Sequence, residues 1–351
     1  QKAAKKGSFN LQNPDLFIES PTTTRFTLGV QQTIDNPLVY IQQSKVAKQN
    51  INLAEKRLYA NKVLLIRDVK IAYLNLQFAE IKINQLTRQD SIFNALYLAA
   101  ERRYNAGEAN LLEKVSAEAK SKEMYNLLMQ AKTDLQNAQL QLKLLAGIKD
   151  GNIKADETLA KTTTEIQDAS IGLDYPEVIK SSPFLQYYQQ NIFLNKQSVK
   201  LERSKLAPGL MVGYLNQGGA NSEILYRYQF GLSIPIWFWT YSSQIKAAKI
   251  RFDMANSQYA LAEQNLNSEY LQAVTEYKKY TESINYFETS ALKQAETIIS
   301  TAAGSYNAGQ ISYIIYMQSL NQAFEIKMNY YETVRNYNLS TIELNYLKGQ
   351  L

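Results

Sequence analysis

Residues 44–103 and 242–303 of this chain contain neither proline nor glycine. Each is a run of roughly 60 residues that nothing local interrupts, and at 1.5 Å per residue a continuous helix of that size would be roughly 90 Å long. A chain of 351 residues would ordinarily be expected to divide into two or three compact domains. No compact core of that size has room for such an element. The runs therefore predict long rods packed along one another.

The rods end in matching punctuation. Tyr104-Asn105-Ala106-Gly107 is followed by helical sequence up to Gly147, and Tyr306-Asn307-Ala308-Gly309 by helical sequence up to Gly349, with an offset of 202 at both ends. Glu123/Glu325, Leu142/Leu344 and Leu145/Leu347 coincide at the same offset, while most other positions have drifted. Shared length with drifted filling indicates one duplicated structural unit. Glycine tolerates positive φ and asparagine comes next, so each Tyr-Asn-Ala-Gly run reads as a tight helix–helix turn. After the first turn, Leu128, Ala131, Leu135, Ala138, Leu142 and Leu145 alternate at spacings of three and four, a heptad seam. The same register in the second copy gives Tyr330, Thr333, Tyr337, Ser340, Leu344 and Leu347, a weaker and more polar seam that can still pack or turn one side to water.

Between the rods the period changes to two. Asp15 to Glu19 and Arg25 to Thr33 read as extended, with Phe26, Leu28 and Val30 alternating with polar neighbours, and Asn36-Pro37 as the stop. After Pro208-Gly209, Leu210 to Asn216 reads as a strand and Gln217 to Ser222 as a loop containing Gly218-Gly219. Tyr228, Phe230, Leu232, Ile234 and Ile236 then alternate with Gln229, Gly231, Ser233 and Pro235, running into Trp237-Phe238-Trp239. The order is helix, two strands, long helix, turn, helix, given twice. This divides the chain into a first repeat at 1–147, a connecting segment at 148–182 marked by Gly151, Gly172, Pro176 and Thr162-Thr163-Thr164, and a second repeat at 183–351. The helix at Phe184 to Leu206 exceeds 20 residues, whereas about ten precede the first strand. We therefore expect the native chain to begin upstream of Gln1.

Composition removes several function classes. There is no Cys and no His, so disulfides, thiolate or imidazole metal sites, thiol nucleophiles and His-based triads are excluded. Mixed charge, 38 basic against 32 acidic residues for a net +6, describes solvated helix faces rather than a nucleic-acid arm. No run of 18 apolar residues marks a transmembrane helix, and no signal peptide is seen. No carboxylate pair at fixed spacing argues for acid–base chemistry, and no cofactor motif is present, so no enzyme is expected. Gly218-Gly219 lacks the lysine and helix start of a phosphate loop. Glu101-Arg102-Arg103 reads as a solvated helix end rather than a phosphate site. Tyr313, Tyr316, Tyr330, Tyr331, Tyr337 and Tyr346 read as helix–helix contacts rather than a base-stacking platform.

Four alternating strands per chain cannot close a membrane barrel, because the smallest barrels have about eight. Several chains together could, with one strand face on lipid and one on a polar lumen, and with Trp237, Phe238 and Trp239 as an interfacial aromatic girdle. A soluble antiparallel sheet with one buried face has the same alternation.

At this point the chain resembles the outer-membrane efflux proteins of the TolC family. The resemblance rests on the paired Tyr-X-Ala-Gly turns and the Ile234-Pro235-Ile236 strand end. It rests equally on the closing segments Leu142-Lys143-Leu144-Leu145-Ala146-Gly147 and Glu343-Leu344-Asn345-Tyr346-Leu347-Lys348-Gly349. It covers nearly the whole chain. Each motif alone is weak, and the duplicated set at matched spacing is fairly specific. The fold it implies is mainly α with short β: duplicated long antiparallel helical hairpins plus four strands per chain, contributed to a homotrimeric 12-stranded membrane barrel that continues into a periplasmic helical tunnel. The function it implies is a passive exit duct in the outer membrane, loaded by a periplasmic adaptor and an inner-membrane pump of the resistance-nodulation-division type. Ile311-Ser312-Tyr313 and Gln318-Ser319-Leu320 resemble the branch that serves heavy-metal and cation pumps, some of whose members are fused to the pump. The competing function is a soluble, elongated coiled-coil scaffold without channel activity, which has no reason to carry alternating strands in both repeats.

By the same resemblance, Asn105, Ala106, Gly107, Asn307, Ala308 and Gly309 form the periplasmic tip where adaptor or pump docks. An acidic residue six after the first Gly and a Tyr three before the second can hold the tip closed in the family; here these are Glu113 and Tyr306. The alternative for that pair is a solvated helix carboxylate and a turn-packing aromatic. An aspartate ring found in the best-known member six and nine residues after the second Gly is missing, since Ile315 and Gln318 stand there. Ile315 reads as a core residue or as an apolar constriction.

Overall fold

The computed structural model describes residues 11–22, 25–151, 153–156, 158–162, 175–219, 222–234 and 237–350. The expected opening helix at 1–10, Thr163-Thr164, and Pro235-Ile236 lie outside them. The described chain contains strands β1 (Asp15–Thr22) and β2 (Arg25–Ile34), then helices α1 (Pro37–Asn105), α2 (Leu111–Ala146), α3 (Tyr175–Ser181) and α4 (Pro183–Ser204). Strands β3 (Gly209–Gly219) and β4 (Ser222–Ser233) follow, then α5 (Phe238–Tyr286), a π-helical turn at Phe287–Ala291, α6 (Leu292–Asn307) and α7 (Tyr313–Leu347). Two compact units share these elements: residues 1–61 with 179–265, and residues 62–178 with 266–351.

The first unit carries a four-stranded antiparallel sheet in the order β1-β2-β3-β4. Its central pairing, Leu28 with Asn216 through to Ile34 with Leu210, joins the last strand of one repeat to the first strand of the other. Directly paired residues share a face, so rows such as Leu16–Val30–Tyr214–Tyr228 form one side of the sheet. That side also holds Ile18, Leu28, Val212, Phe230 and Leu232, and its large apolar side chains stand open, from Val30 at 37 % to Phe230 at 80 % exposure. The β3 and β4 strands run further into the expected loop than alternation indicated, because pairing from Gly209↔Ser233 to Gly219↔Ser222 extends both.

Asn36-Pro37, expected only to stop β2, also starts α1. The Asn36 side chain accepts from Leu38 N at 2.9 Å, and proline at the first helical position has no N–H to leave unsatisfied. The 69-residue α1 therefore begins seven residues before the proline-free run. Within the first unit α1 is joined to α4 by an amide ladder: Gln42 with Gln197, Gln49 with Gln190 at 2.6 Å, and Lys56 with Gln186 at 2.8 Å. The α1 rungs recur every seven residues, so the heptad here is polar.

The second unit packs α2 and the following elements against the rest of α1. The first seam is where the spacing placed it: Leu128, Ala131, Ala138 and Leu142 are buried. The second seam packs as well, despite its polar filling. Thr333, Ser340, Leu344 and Leu347 are all buried on α7, together with Asn338 and Thr341. Three of these polar groups find partners: Asn338 takes Thr162 N at 2.9 Å and gives to Ala160 O at 3.0 Å, Thr333 gives to Asn329 O at 2.7 Å, and Ser340 gives to Tyr337 O at 2.7 Å, while the buried Thr341 hydroxyl meets none among the described residues. The run at 242–303 is not one helix. It begins at Phe238 and is re-registered by the π turn, which carries Glu288 to Lys161 at 2.8 Å and to the Tyr330 hydroxyl at 3.3 Å.

Candidate functional site

The two Tyr-Asn-Ala-Gly turns have the same geometry. Gly107 sits at φ 76° and Gly309 at φ 71°. In the first, Gly107 N reaches Tyr104 O at 3.0 Å and Glu108 N reaches Arg103 O at 2.8 Å; in the second, Gly309 N reaches Tyr306 O at 3.0 Å and Gln310 N reaches Ser305 O at 2.8 Å. This double closure satisfies the carbonyls that a helix end leaves open and requires a left-handed residue, hence glycine. The next helices are capped at the same offset: Asn110 accepts from Glu113 N at 2.8 Å, and Ser312 accepts from Ile315 N at 3.4 Å. Asn105, Ala106, Gly107, Asn307, Ala308 and Gly309 are all exposed.

Under the turns lies one apolar cluster of Phe93, Ala100, Ala117, Met124, Tyr313, Met317 and Leu320, so both hairpin ends share a core. Tyr306 packs on its edge, stacked on Tyr316 with centroids 4.7 Å apart and planes 8° apart. Arg103 occupies the space between the hairpins. Its Nη1 lies 2.7 Å from Glu113 Oε1 and donates to the Tyr306 hydroxyl at 3.3 Å, while Nη2 reaches Glu108 O at 3.5 Å. Glu113 and Tyr306 thus both meet the same guanidinium nitrogen. Arg103, read from the sequence as a solvated helix end, is the group that joins them. Its signal was its place one residue before the first turn, which brings the last turn of α1 over the first turn of α2.

Tyr313 is 2 % exposed and its hydroxyl has no hydrogen-bond partner among the described residues. Burial pushes its phenol above the ordinary range, and the neighbouring Tyr306 and Glu113 push the same way. Ile315 is 49 % exposed and Gln318 is exposed, so neither is a core residue of the chain. Glu101 pairs with Lys114 at 3.6 Å and accepts from the Tyr97 hydroxyl at 3.1 Å.

In the first unit, Trp237 precedes α5 and Phe238 and Trp239 open it, so these aromatics sit at a helix start, past the end of β4. They are 65 %, 65 % and 55 % exposed and touch edge-on, with Trp237 and Trp239 centroids 4.9 Å apart. No described helix is long and apolar enough to cross a membrane. Among the described residues no group of three acidic side chains is arranged to hold a metal ion.

The family model described as outer membrane efflux protein matches residues 4–148 and 175–350. No curated protein matches the chain. Among solved structures, the outer-membrane channel OprN is similar with a TM-score of 0.82 at 14% identity, over 100% of this chain and 84% of that one. CusC is similar at a TM-score of 0.79 and 16% identity, over 99% of this chain and 86% of that one. The Campylobacter jejuni CmeC outer membrane channel is similar at 0.78 and 15% identity, over 99% and 79%. At these identities the likeness establishes the fold: mainly helical, with duplicated helical hairpins and a four-stranded sheet.

Proposed function

Since the chain belongs to the outer membrane efflux protein family, we propose that it is the outer-membrane exit duct of a tripartite efflux system. Three copies close a 12-stranded barrel, and the helical hairpins extend into the periplasm. The duct conducts passively what a resistance-nodulation-division pump and a periplasmic adaptor deliver. We put heavy-metal and other cations first as cargo, on the resemblance of Ile311-Ser312-Tyr313 and Gln318-Ser319-Leu320 to that branch. Cations here are substrate.

The observation that carries the duct is the sheet. One face is dominated by large, open apolar side chains, and the outer edges of β1 and β4 find no neighbour among the described strands. A bilayer covers such a face, and the same strands of further copies pair such edges. Trp237, Phe238 and Trp239 then lie at the membrane interface. A soluble scaffold would leave this face in water.

The exposed turns at Asn105, Ala106, Gly107, Asn307, Ala308 and Gly309 are the docking end for the adaptor or pump. Glu113 and Tyr306, bridged by Arg103, form the latch of that end, and Ile315 and Gln318 line the path inside it.

The test is single-channel conductance of the detergent-extracted, heat-sensitive trimer in a planar bilayer, with Glu113→Ala beside it. Stable ion conduction is expected, with a larger or longer-lived open level in the variant. A chain that stays in the aqueous phase without detergent sinks the duct. Conduction that Glu113→Ala leaves unchanged sinks the latch alone.

A further inference from the structure

The sheet face opposite the apolar one has an arrangement that alternation does not require. Each of three successive rows across it contains a glycine. The rows run Phe17–Gly29–Leu215–Arg227, Asp15–Gln31–Gly213–Gln229, and Thr33–Met211–Gly231. In two of the rows a larger side chain lies where a β-carbon on the glycine would be, and in the Gly213 row one lies in tight contact with that position. A Cβ on Gly29 would stand 2.5 Å from the Phe17 ring tip, and one on Gly231 would stand 2.7 Å from the Met211 methyl. One on Gly213 would stand 3.3 Å from Gln229 Cβ and Oε1. The Met211 sulfur also accepts from Gln31 Nε2 at 2.8 Å, which holds that side chain down on the sheet. As a result Gly29, Gly213 and Leu215 are buried within a single chain.

A strand glycine costs backbone entropy and gives up a packing side chain, so three on one face need a reason. Cross-strand covering of glycine by a long neighbour is one. We infer that Gly29, Gly213 and Gly231 set the bore of the channel: they let Phe17, Gln229 and Met211 lie flat on the barrel wall instead of standing into the lumen. This rests on the duct reading, which makes this face the lumen. The wall it leaves carries charges of both signs, with Asp15, Glu19 and Arg227 on it and Arg25 on the same face by strand alternation. Once the methionine or the ring is lifted by a new β-carbon, three copies would narrow the same level of the passage. The chemical class served is a cargo that passes an open bore rather than one that binds to it.

The absence of cysteine allows a direct test. Thr33→Cys places a single thiol opposite Met211 on this face. Its rate of modification by a bulky, membrane-impermeant maleimide, added on the outer side of the reconstituted trimer, reads the passage at that level. Adding Gly231→Ala is expected to slow labelling several-fold, and adding Met211→Ala to that pair is expected to restore it. An unchanged rate with Gly231→Ala in an intact trimer overturns the inference. If Gly231→Ala alone does not assemble, the Met211→Ala, Gly231→Ala pair must, since the crowding atom is gone; failure of the pair to form the trimer also overturns it. Should Thr33→Cys resist the reagent while Leu232→Cys reacts, the faces are exchanged and the duct reading itself fails.

Discussion

Arg103 and Glu113, ten positions apart on two successive helices, close the first hairpin turn with a 2.7 Å ion pair, and the same guanidinium nitrogen donates to Tyr306 from the second hairpin. The pair is partly shielded, the Glu113 side chain being 13% exposed and Arg103 38%. One charged group therefore ties two turns that lie about two hundred residues apart in sequence.

Replacing Arg103 with alanine is expected to loosen the tip as much as Glu113→Ala does. The double variant should add little, because both remove one shared interaction. A coupling of about 1 kcal/mol fits a half-exposed pair. Arg103→Lys should fall between, since an ammonium cannot reproduce a planar fork that reaches Glu113, Tyr306 and the Glu108 carbonyl together. Conductance of the four proteins decides the matter: additive effects of Arg103 and Glu113 would show that they act separately.

Tyr313 brings an unpartnered hydroxyl into the apolar cluster beneath the turns. Tyr313→Phe removes a buried polar atom while keeping the ring, so thermal stability should hold or rise, by up to about 1 kcal/mol. A clear loss of stability would mean that the hydroxyl has a partner in solution.

The left-handed glycines at the turns offer a purely conformational probe. Nothing lies within 4 Å of a β-carbon placed on Gly107 or Gly309. Gly107→Ala and Gly309→Ala should therefore each cost about 1 kcal/mol through φ alone. Hydrogen exchange should quicken at Glu108 or Gln310, whose amides close the turns, and stay unchanged along α2 and α7.

Tyr346 is 7 % exposed beside Arg67, whose guanidinium lies 4.6 Å from its ring centre. Burial, opposed by Arg67, pushes its phenol up to about 12. The folded chain thus favours the neutral phenol. Its contribution is complete below the ordinary tyrosine value of about 10 and is lost as pH rises toward the folded value. Unfolding midpoints measured from neutral pH into that alkaline window should fall, and Tyr346→Phe should flatten the fall.

Charge on the two sheet faces should act in opposite ways. Phe230→Arg puts a guanidinium on the apolar face, at a cost of about 2–4 kcal/mol if it lies near the bilayer midplane. The neighbouring Gln229→Arg points to the other face and should leave assembly intact while changing ion selectivity. The yield of heat-sensitive trimer in membranes separates them: equal yields would remove the assignment of faces.

Much of the architecture was legible because it is periodic. The seam at Leu128, Ala131, Ala138 and Leu142 is a three-four spacing, the face of Leu210, Val212, Phe230 and Leu232 is a two-residue spacing, and the paired turns announce themselves by glycines at a constant offset. Glu113 and Tyr306, the proposed latch partners, came from resemblance, and the chain brings them to one nitrogen. Arg103 was passed over because a basic residue in a last helical turn is ordinary, and nothing local says that another helix will cover it. The spacing left open whether the polar seam on α7 packs or faces water, for a related reason. Asn338, outside that spacing, looks like a surface residue until the Ala160 carbonyl and Thr162 amide that satisfy it are in place.

By itself the sequence determined the rods, the turns between them and the two-faced strands, because those depend on spacing within one segment and on backbone limits at glycine and proline. Only the tertiary structure decided the strand order that joins β2 to β3 across the repeats, the amide ladder from Gln42 to Gln197, the arginine between the hairpins, and the glycines beneath Phe17 and Met211. Each of these is a meeting of residues far apart in the chain, and which ones meet is set by packing and by the pairing of buried polar groups rather than by any local preference.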